Sequence, residues 1–232
     1  MSDARINRAS YLTRHTGEYP AEFELLGVRY EKVDDLRYGT NPHQTAAYYR
    51  PVGLNCPIGD LKVVKNGKSG LSQTNLEDIS YALNIVMYFD TPACAVMKHV
   101  NPSGVCVGTA GESIQAVYAR ARDCDPRAAF GCTAGCNVIV DEAAAAEMMG
   151  SFVECVVAPG YTPEALAVFN DQEKYTLNRH IRILQCGDLA ALPKFVGDDC
   201  SHARSYKVLA DGSLIVADPL LTQIHGVADL KR

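Results

Sequence analysis

No stretch of this 232-residue chain is apolar for long enough to cross a bilayer, and its polar start, MSDARINRASYLTRHTGEYP, lacks the apolar core of a secretory signal. Both absences point to a soluble, cytoplasmic protein with no membrane partner. An excess of positive charge is missing as well: 22 Lys and Arg stand against 27 Asp and Glu, a formal net charge of -5. Proteins that hold nucleic acid through general basicity neutralise many phosphates with clustered Lys and Arg, so that class is excluded and any anionic ligand must meet local cations. Repeats, low-complexity tracts and charge blocks are also lacking, so a single domain over 1–232 is the simplest organisation.

Cysteine is abundant, but a metal-ligand set is not. Nine cysteines are scattered along the chain, several inside apolar runs such as ECVVAP, where a thiol behaves as a small hydrophobe. The odd count and the scatter read as reduced cysteine. Cys132 and Cys136 in CTAGC form the one close pair, and no second pair or histidine stands at zinc-binding spacing, so no metal is expected.

What is present is an alternation of apolar strands and helical patterns. TNLEDISYALNIVMYF carries apolar residues on one helical face, with Thr74 and Glu77 as a capping box. ACAVM is a short buried strand, and ESIQAVYARARD a helix. CNVIV reads as a strand, and DEAAAAEMMGSF as a helix capped by Asp141. CVVAP is another buried strand, and Thr162-Pro163 opens a further helix with proline at its tolerated first position. IRILQCG is a strand and YKVLADGSLIVAD a hairpin turning at Asp211-Gly212. The pattern predicts an α/β fold, a mixed sheet with a parallel core covered by helices on both faces.

Two stretches carry chemistry. In CAVMKHVNPSGVCVG, Lys98 and His99 end an apolar run, Asn101-Pro102 is read as the turn, and Gly104 lets backbone approach a ligand or the next helix. In sheets of this kind ligands gather at the carboxyl ends of the strands, and Lys98 and His99 fall at such an end. In LRYGTNPHQTAAYYR, the planar fork of Arg37 suits a phosphate. Taken alone, the Lys-His pair is better explained by a lysine reaching solvent and a histidine with one satisfied hydrogen bond. His15, His43, His180, His202 and His225 have no assigned chemistry.

The blocks RYGTNPHQ, KHVNPSGVCVG, ARARDCDPRAAFG and VVAPGYTPEAL, in this order, resemble the formyltransferase portion of the bifunctional purine-biosynthesis enzymes that carry AICAR transformylase and IMP cyclohydrolase activities. The resemblance runs from about residue 36 to residue 168. It implies a three-layer α/β/α, cytidine-deaminase-like fold without the deaminase zinc. It also implies transfer of a formyl group from 10-formyltetrahydrofolate to the 5-amino group of AICAR. That amine is a poor nucleophile, its lone pair delocalised into the ring, and a base must help it. By resemblance His99 is the proton acceptor and Lys98 the cation where negative charge develops, on the formyl oxygen or the departing folate nitrogen. Arg37 and Tyr38 meet the nucleotide, Gly131 lays its backbone against the ribotide, and Glu154, where the vertebrate form has aspartate, accepts from the ribose hydroxyls.

The chain also departs from the family. Only some thirty-six residues precede RYGTNPHQ, so no cyclohydrolase domain and no ring closure are expected; the chain stops at GVADLKR, about where the first of two similar transferase halves ends. The later half, with its Lys-Ser-Asn motif and further arginine and phenylalanine residues, is absent. Three readings follow: one part of a split transformylase completed by a second chain, a homo-oligomeric transferase with its own folate pocket, or a non-catalytic AICAR-binding regulator. The Lys98-His99 pair speaks against the last, because a binder needs no proton acceptor beside the amine.

Overall fold

The computed structural model describes residues 16–67, 69–200 and 203–230; His15, His202 and most of the polar N-terminal stretch lie outside them. Two compact units are formed, one through Leu189 and one from Ala190 on.

In the first unit, a small antiparallel sheet of β1 (Glu22–Leu25), β2 (Val28–Asp35) and β3 (Ala47–Pro51) precedes β4 (Lys62–Lys65). Then follow α1 (Gln73–Val86), β5 (Ala93–Lys98), β6 (Asn101–Val107), α2 (Ile114–Asp123), β7 (Cys132–Cys136), α3 (Glu142–Met149), β8 (Val153–Ala158), α4 (Pro163–Asn170) and β9 (Arg182–Gln185). Their strands make one mixed sheet in the order β4-β9-β8-β7-β5-β6, in which β7, β8 and β9 run parallel and β5 runs antiparallel to β7. The fold is therefore α/β with a parallel centre, as the alternation of patterns predicts.

The apolar runs explain the burial. Every residue of β7 and the first five of β5 are buried, as strands covered on both faces require. Cys94, Val96, Ala134, Cys136, Val156, Ala158 and Ile183 share a core with Val117, Tyr118, Met148 and Phe169 of α2, α3 and α4. Residues of opposite parity meet α1: a Cβ added at Gly135 would lie 2.6 Å from that of Ala82. Fully burying a side chain such as Phe169 or Ile183 contributes about 1.5–3 kcal/mol.

Three local expectations are corrected. The capping box of α1 is Ser72 with Asn75, not Thr74 with Glu77; Ser72 has extended backbone and α1 starts at Gln73, so Thr74 and Glu77 lie inside the helix. The strand expected at CNVIV is CTAGC, because Asn137 ends it, tying its amide to the carbonyls of Phe89 and Thr91 and to the Ala93 N–H. Asn101-Pro102 is not the turn: both residues begin β6, an edge strand where proline's missing N–H is tolerated. The turn is His99-Val100. Gly104 serves helix packing, since a Cβ there would come within 1.9 Å of the Ala121 carbonyl oxygen on α2.

The second unit contains the expected hairpin, β10 (Ser205–Val208) paired antiparallel with β11 (Leu214–Ala217). Gly212 takes φ +88° at its tip and Asp211 accepts from the Ser213 N–H.

Candidate functional site

Chain direction decides where the chemistry gathers. Because β5 is antiparallel to β7, its carboxyl end meets the amino ends of β7, β8 and β9. Lys98 ends β5, Gly131 immediately precedes β7, which Cys132 opens, Glu154 stands second in β8 and Arg182 opens β9. The carboxyl-end rule thus holds for β5 alone; for the parallel strands the candidate residues sit at the opposite, amino edge.

His99 is exposed at the tip of the β5–β6 hairpin. His99 and Val100 have φ of 53° and 69°, the left-handed pair that a tight two-residue hairpin demands and that glycine or asparagine usually supplies. A β-branched residue in that region is a true outlier, held only where its surroundings over-determine it. The holding group is Asp78 of α1, 4% exposed, which accepts from the Val100 N–H at 2.6 Å and also from the His99 N–H. Asn101 adds a bond from Nδ2 to the His99 carbonyl at 2.8 Å. Burial pushes the Asp78 carboxyl above its ordinary value, opposed by the two N–H donors and by the charges of His99 and Lys98. Reading the sequence missed Asp78, although a signal existed: it falls with Leu76, Ile79 and Ala82 on the buried face of α1, where an aspartate needs a partner.

Lys98 turns back along the edge. Its Nζ donates to the Gly131 carbonyl at 2.6 Å and lies 3.9 Å from Glu154 Oε1. Gly131 takes φ +75°, where any side chain is strained, and a Cβ there would stand 2.8 Å from that Nζ and 3.0 Å from the Phe152 ring. The second oxygen of Glu154 accepts from Asn75 Nδ2 at 3.3 Å. Asn75 is the residue that closes the α1 capping box, so the helix cap and the carboxylate are positioned together.

Arg37 and Tyr38 are stapled to the segment leading into α1. The Arg37 N–H donates to the Leu71 carbonyl at 2.7 Å, and the Gln73 N–H donates to the Tyr38 carbonyl at 3.0 Å. The Arg37 guanidinium, 5% exposed, stacks over the Tyr38 ring at 4.6 Å and donates from Nη2 to its hydroxyl at 3.1 Å. Burial lowers the Arg37 pKa first, nearby Arg182 lowers it further, and Tyr38 and Glu154 oppose them.

Of the six residues expected from sequence, Lys98, Gly131 and Glu154 are therefore in contact. His99 is tied to the same helix through Asp78, and Arg37 with Tyr38 reaches the group through the start of α1 and the charge of Glu154. An exposed imidazole, an ammonium, a carboxylate and a buried guanidinium can accept a proton, favour a developing oxyanion and hold an anion. The thiols at this edge are quiet: burial pushes Cys132 up to about 12 and Cys155 up to about 11, so neither is a thiolate at neutral pH. Cys132 and Cys136 occupy the two ends of β7, roughly 13 Å apart at strand spacing, too far to share an ion.

At the opposite edge, Asp60, Lys62, Pro159, Gln185 and Asp188 line an open cavity of about 500 Å³.

These elements define an α/β protein whose candidate site gathers where one reversed strand meets three parallel ones. A family model described as "AICARFT/IMPCHase bienzyme" matches residues 3–214, and the chain belongs to that family. A bifunctional purine biosynthesis protein PurH of Clostridium perfringens is 35% identical over 214 residues, 92% of this chain and 37% of the relative. Its counterpart in Anaeromyxobacter dehalogenans (strain 2CP-C) is 44% identical over 194 residues, 82% of this chain and 34% of the relative. That of Oceanobacillus iheyensis is 40% identical over 185 residues, 79% and 33% respectively. The chain spans about a third of the length of these relatives.

Proposed function

We propose that this chain acts in purine biosynthesis as a formyltransferase, moving a formyl group from 10-formyltetrahydrofolate to the 5-amino group of AICAR. His99 accepts the amine proton as the nitrogen attacks, the bond between the formyl carbon and the folate nitrogen breaks, and tetrahydrofolate departs with a proton on that nitrogen. Lys98 supplies positive charge beside the formyl oxygen or the departing nitrogen. Arg37 and Tyr38 hold the nucleotide end, Gly131 fixes the Lys98 ammonium through its carbonyl, and Glu154 accepts from the ribose hydroxyls.

The observation that carries this reading is the hairpin tip. An exposed imidazole on a strained His99-Val100 turn, clamped by a buried aspartate beside a lysine held at 2.6 Å, is a costly arrangement for a surface residue with no chemistry to do. The same observation disfavours a non-catalytic AICAR-binding regulator, which gains nothing from that strain.

The reading includes a shared site. The family's sites draw on two chains at an interface, so the folate side is completed by polypeptide beyond these residues, in a homodimer or in a hetero-oligomer with a chain carrying the second transformylase half. With it go a single transformylase-like domain, the cytidine-deaminase-like three-layer arrangement and a cytoplasmic location.

The test is to incubate the purified chain with AICAR and 10-formyltetrahydrofolate and follow tetrahydrofolate release, alone and with a chain supplying the second half. Release in the mixture is expected. Calorimetric binding of AICAR without release in either case would favour the regulator, and absence of AICAR binding would sink both.

A further inference from the structure

Below the edge that carries His99 lie two buried arginines, and sequence reasoning singled out only one. Arg37 and Arg182 are each 5% exposed. They grip one short segment: the Arg37 N–H donates to the Leu71 carbonyl at 2.7 Å, and Arg182 Nε donates to the Gly70 carbonyl at 2.7 Å. Gly70 takes φ +81°, a left-handed bend. Gly67 takes φ +63°, and a Cβ there would stand 2.3 Å from the His180 carbonyl oxygen and 3.1 Å from Arg182 Cγ. The backbone of Arg37 and the side chain of Arg182 thus bind adjacent carbonyls of one segment.

Among the described residues Arg37 Nε, though buried, has no hydrogen-bond partner. A guanidinium presents Nε–H together with a neighbouring N–H as a fork for two oxygens of one anion, and buried donors are rarely left without an acceptor. Like charges side by side also repel, and Arg182 is the largest charged cause of the lowered Arg37 pKa. A dianion placed between two guanidiniums would turn that repulsion into attraction to a common centre.

We infer that Arg182 is the second arm of a two-arginine subsite which, with Arg37, holds the phosphate of a phosphomonoester ligand. The identity of the remainder of that ligand rests on the formyl-transfer reading; the subsite itself requires only the phosphate. Arg182 comes from β9, Arg37 from the loop after β2, and both lie on the α1 side of the sheet edge, so the phosphate end is anchored away from the exposed His99 tip.

The experiment titrates the full chain with AICAR, with its dephosphorylated riboside and with inorganic phosphate, by calorimetry and by thermal unfolding. It compares the wild type with Arg182→Met, Arg182→Lys and the exposed control Arg179→Met. Arg182→Met should weaken AICAR at least 30-fold, leave the riboside within about twofold and abolish the thermal upshift that phosphate gives the wild type. Arg182→Lys should fall between, because it keeps the charge and loses the fork; should Arg182→Met fail to fold, this variant and competition of phosphate with AICAR on the wild type carry the comparison. Arg179→Met should behave as wild type. Equal loss of AICAR and riboside, an unchanged AICAR affinity, or no phosphate-bearing ligand bound by the wild type would overturn the inference. A phosphate effect that depends on Arg182 in a protein that never transfers formyl would support the subsite and defeat the transferase reading.

Discussion

The two ends of the parallel strands β7, β8 and β9 differ in kind. Their carboxyl edge has the open cavity, about 500 Å³, lined by Asp60, Lys62, Pro159, Gln185 and Asp188. The amino edge has Lys98, Gly131, Glu154, Arg37 and Arg182, the left-handed His99 and Val100, and a buried aspartate clamping that pair. Space lies at one edge and strain with unusual polar burial at the other. Strain and buried charge are what a fold retains only when something repays them, so the amino edge is the better candidate despite the hollow opposite. The cause is topological: the β5–β6 hairpin inserts a reversed strand, and its tip delivers a histidine to an edge that a purely parallel sheet leaves to strand entrances.

Substitutions at each edge sharpen that contrast. The largest effect is expected at the tip: His99→Ala should lower formyl transfer on the order of 100-fold to 10,000-fold with AICAR affinity changed only a few-fold, as turnover assays and calorimetry would read. Next is the clamp. Asp78→Ala leaves the turn's two N–H groups without their acceptor and should cost about 1–3 kcal/mol in urea unfolding, together with turnover. Asp78→Asn, keeping one acceptor oxygen, should lose less. Because burial raises the Asp78 carboxyl, the folded state holds this proton more tightly than the unfolded chain. Its contribution to stability therefore falls as pH rises from about 3.9 through the raised value, and Asp78→Asn should flatten that slope. Gly131→Ala comes third, at about 1–2 kcal/mol for an alanine in the left-handed region, with Lys98 displaced from its carbonyl. The smallest effect belongs to the other edge, where Lys62→Ala should stay within about 0.5 kcal/mol and leave turnover unchanged.

Much of the fold was legible because its signals are local. Thr162-Pro163, Asp141 and the ADG turn open or reverse elements through side-chain and backbone chemistry within a few residues, and each appears where expected. The buried runs of β5 and β8 are as plain, since two covered faces leave no polar alternation. What failed to show depends on contacts distant in sequence. Asn101-Pro102 has turn composition, yet the turn moved two residues upstream because Asp78, from the preceding helix, binds the N–H groups of His99 and Val100. The apolar run CNVIV suggests the strand, yet it is CTAGC, where Gly135 lets α1 approach. Lys98, Gly131 and Glu154 could be named from motif resemblance, and they do meet. Arg182 sits in an ordinary strand pattern, IRILQ, and only the three-dimensional meeting with Gly70 and the Arg37 loop sets it apart.

The most direct test of the amino-edge site is chemical-shift mapping of the isotope-labelled chain on addition of AICAR. Perturbations should concentrate at the backbone of Lys98, Val100, Gly131 and Glu154 and at the guanidiniums of Arg37 and Arg182. Shifts confined instead to Lys62, Gln185, Gly187 and Asp188 would contradict it and move the ligand to the carboxyl edge.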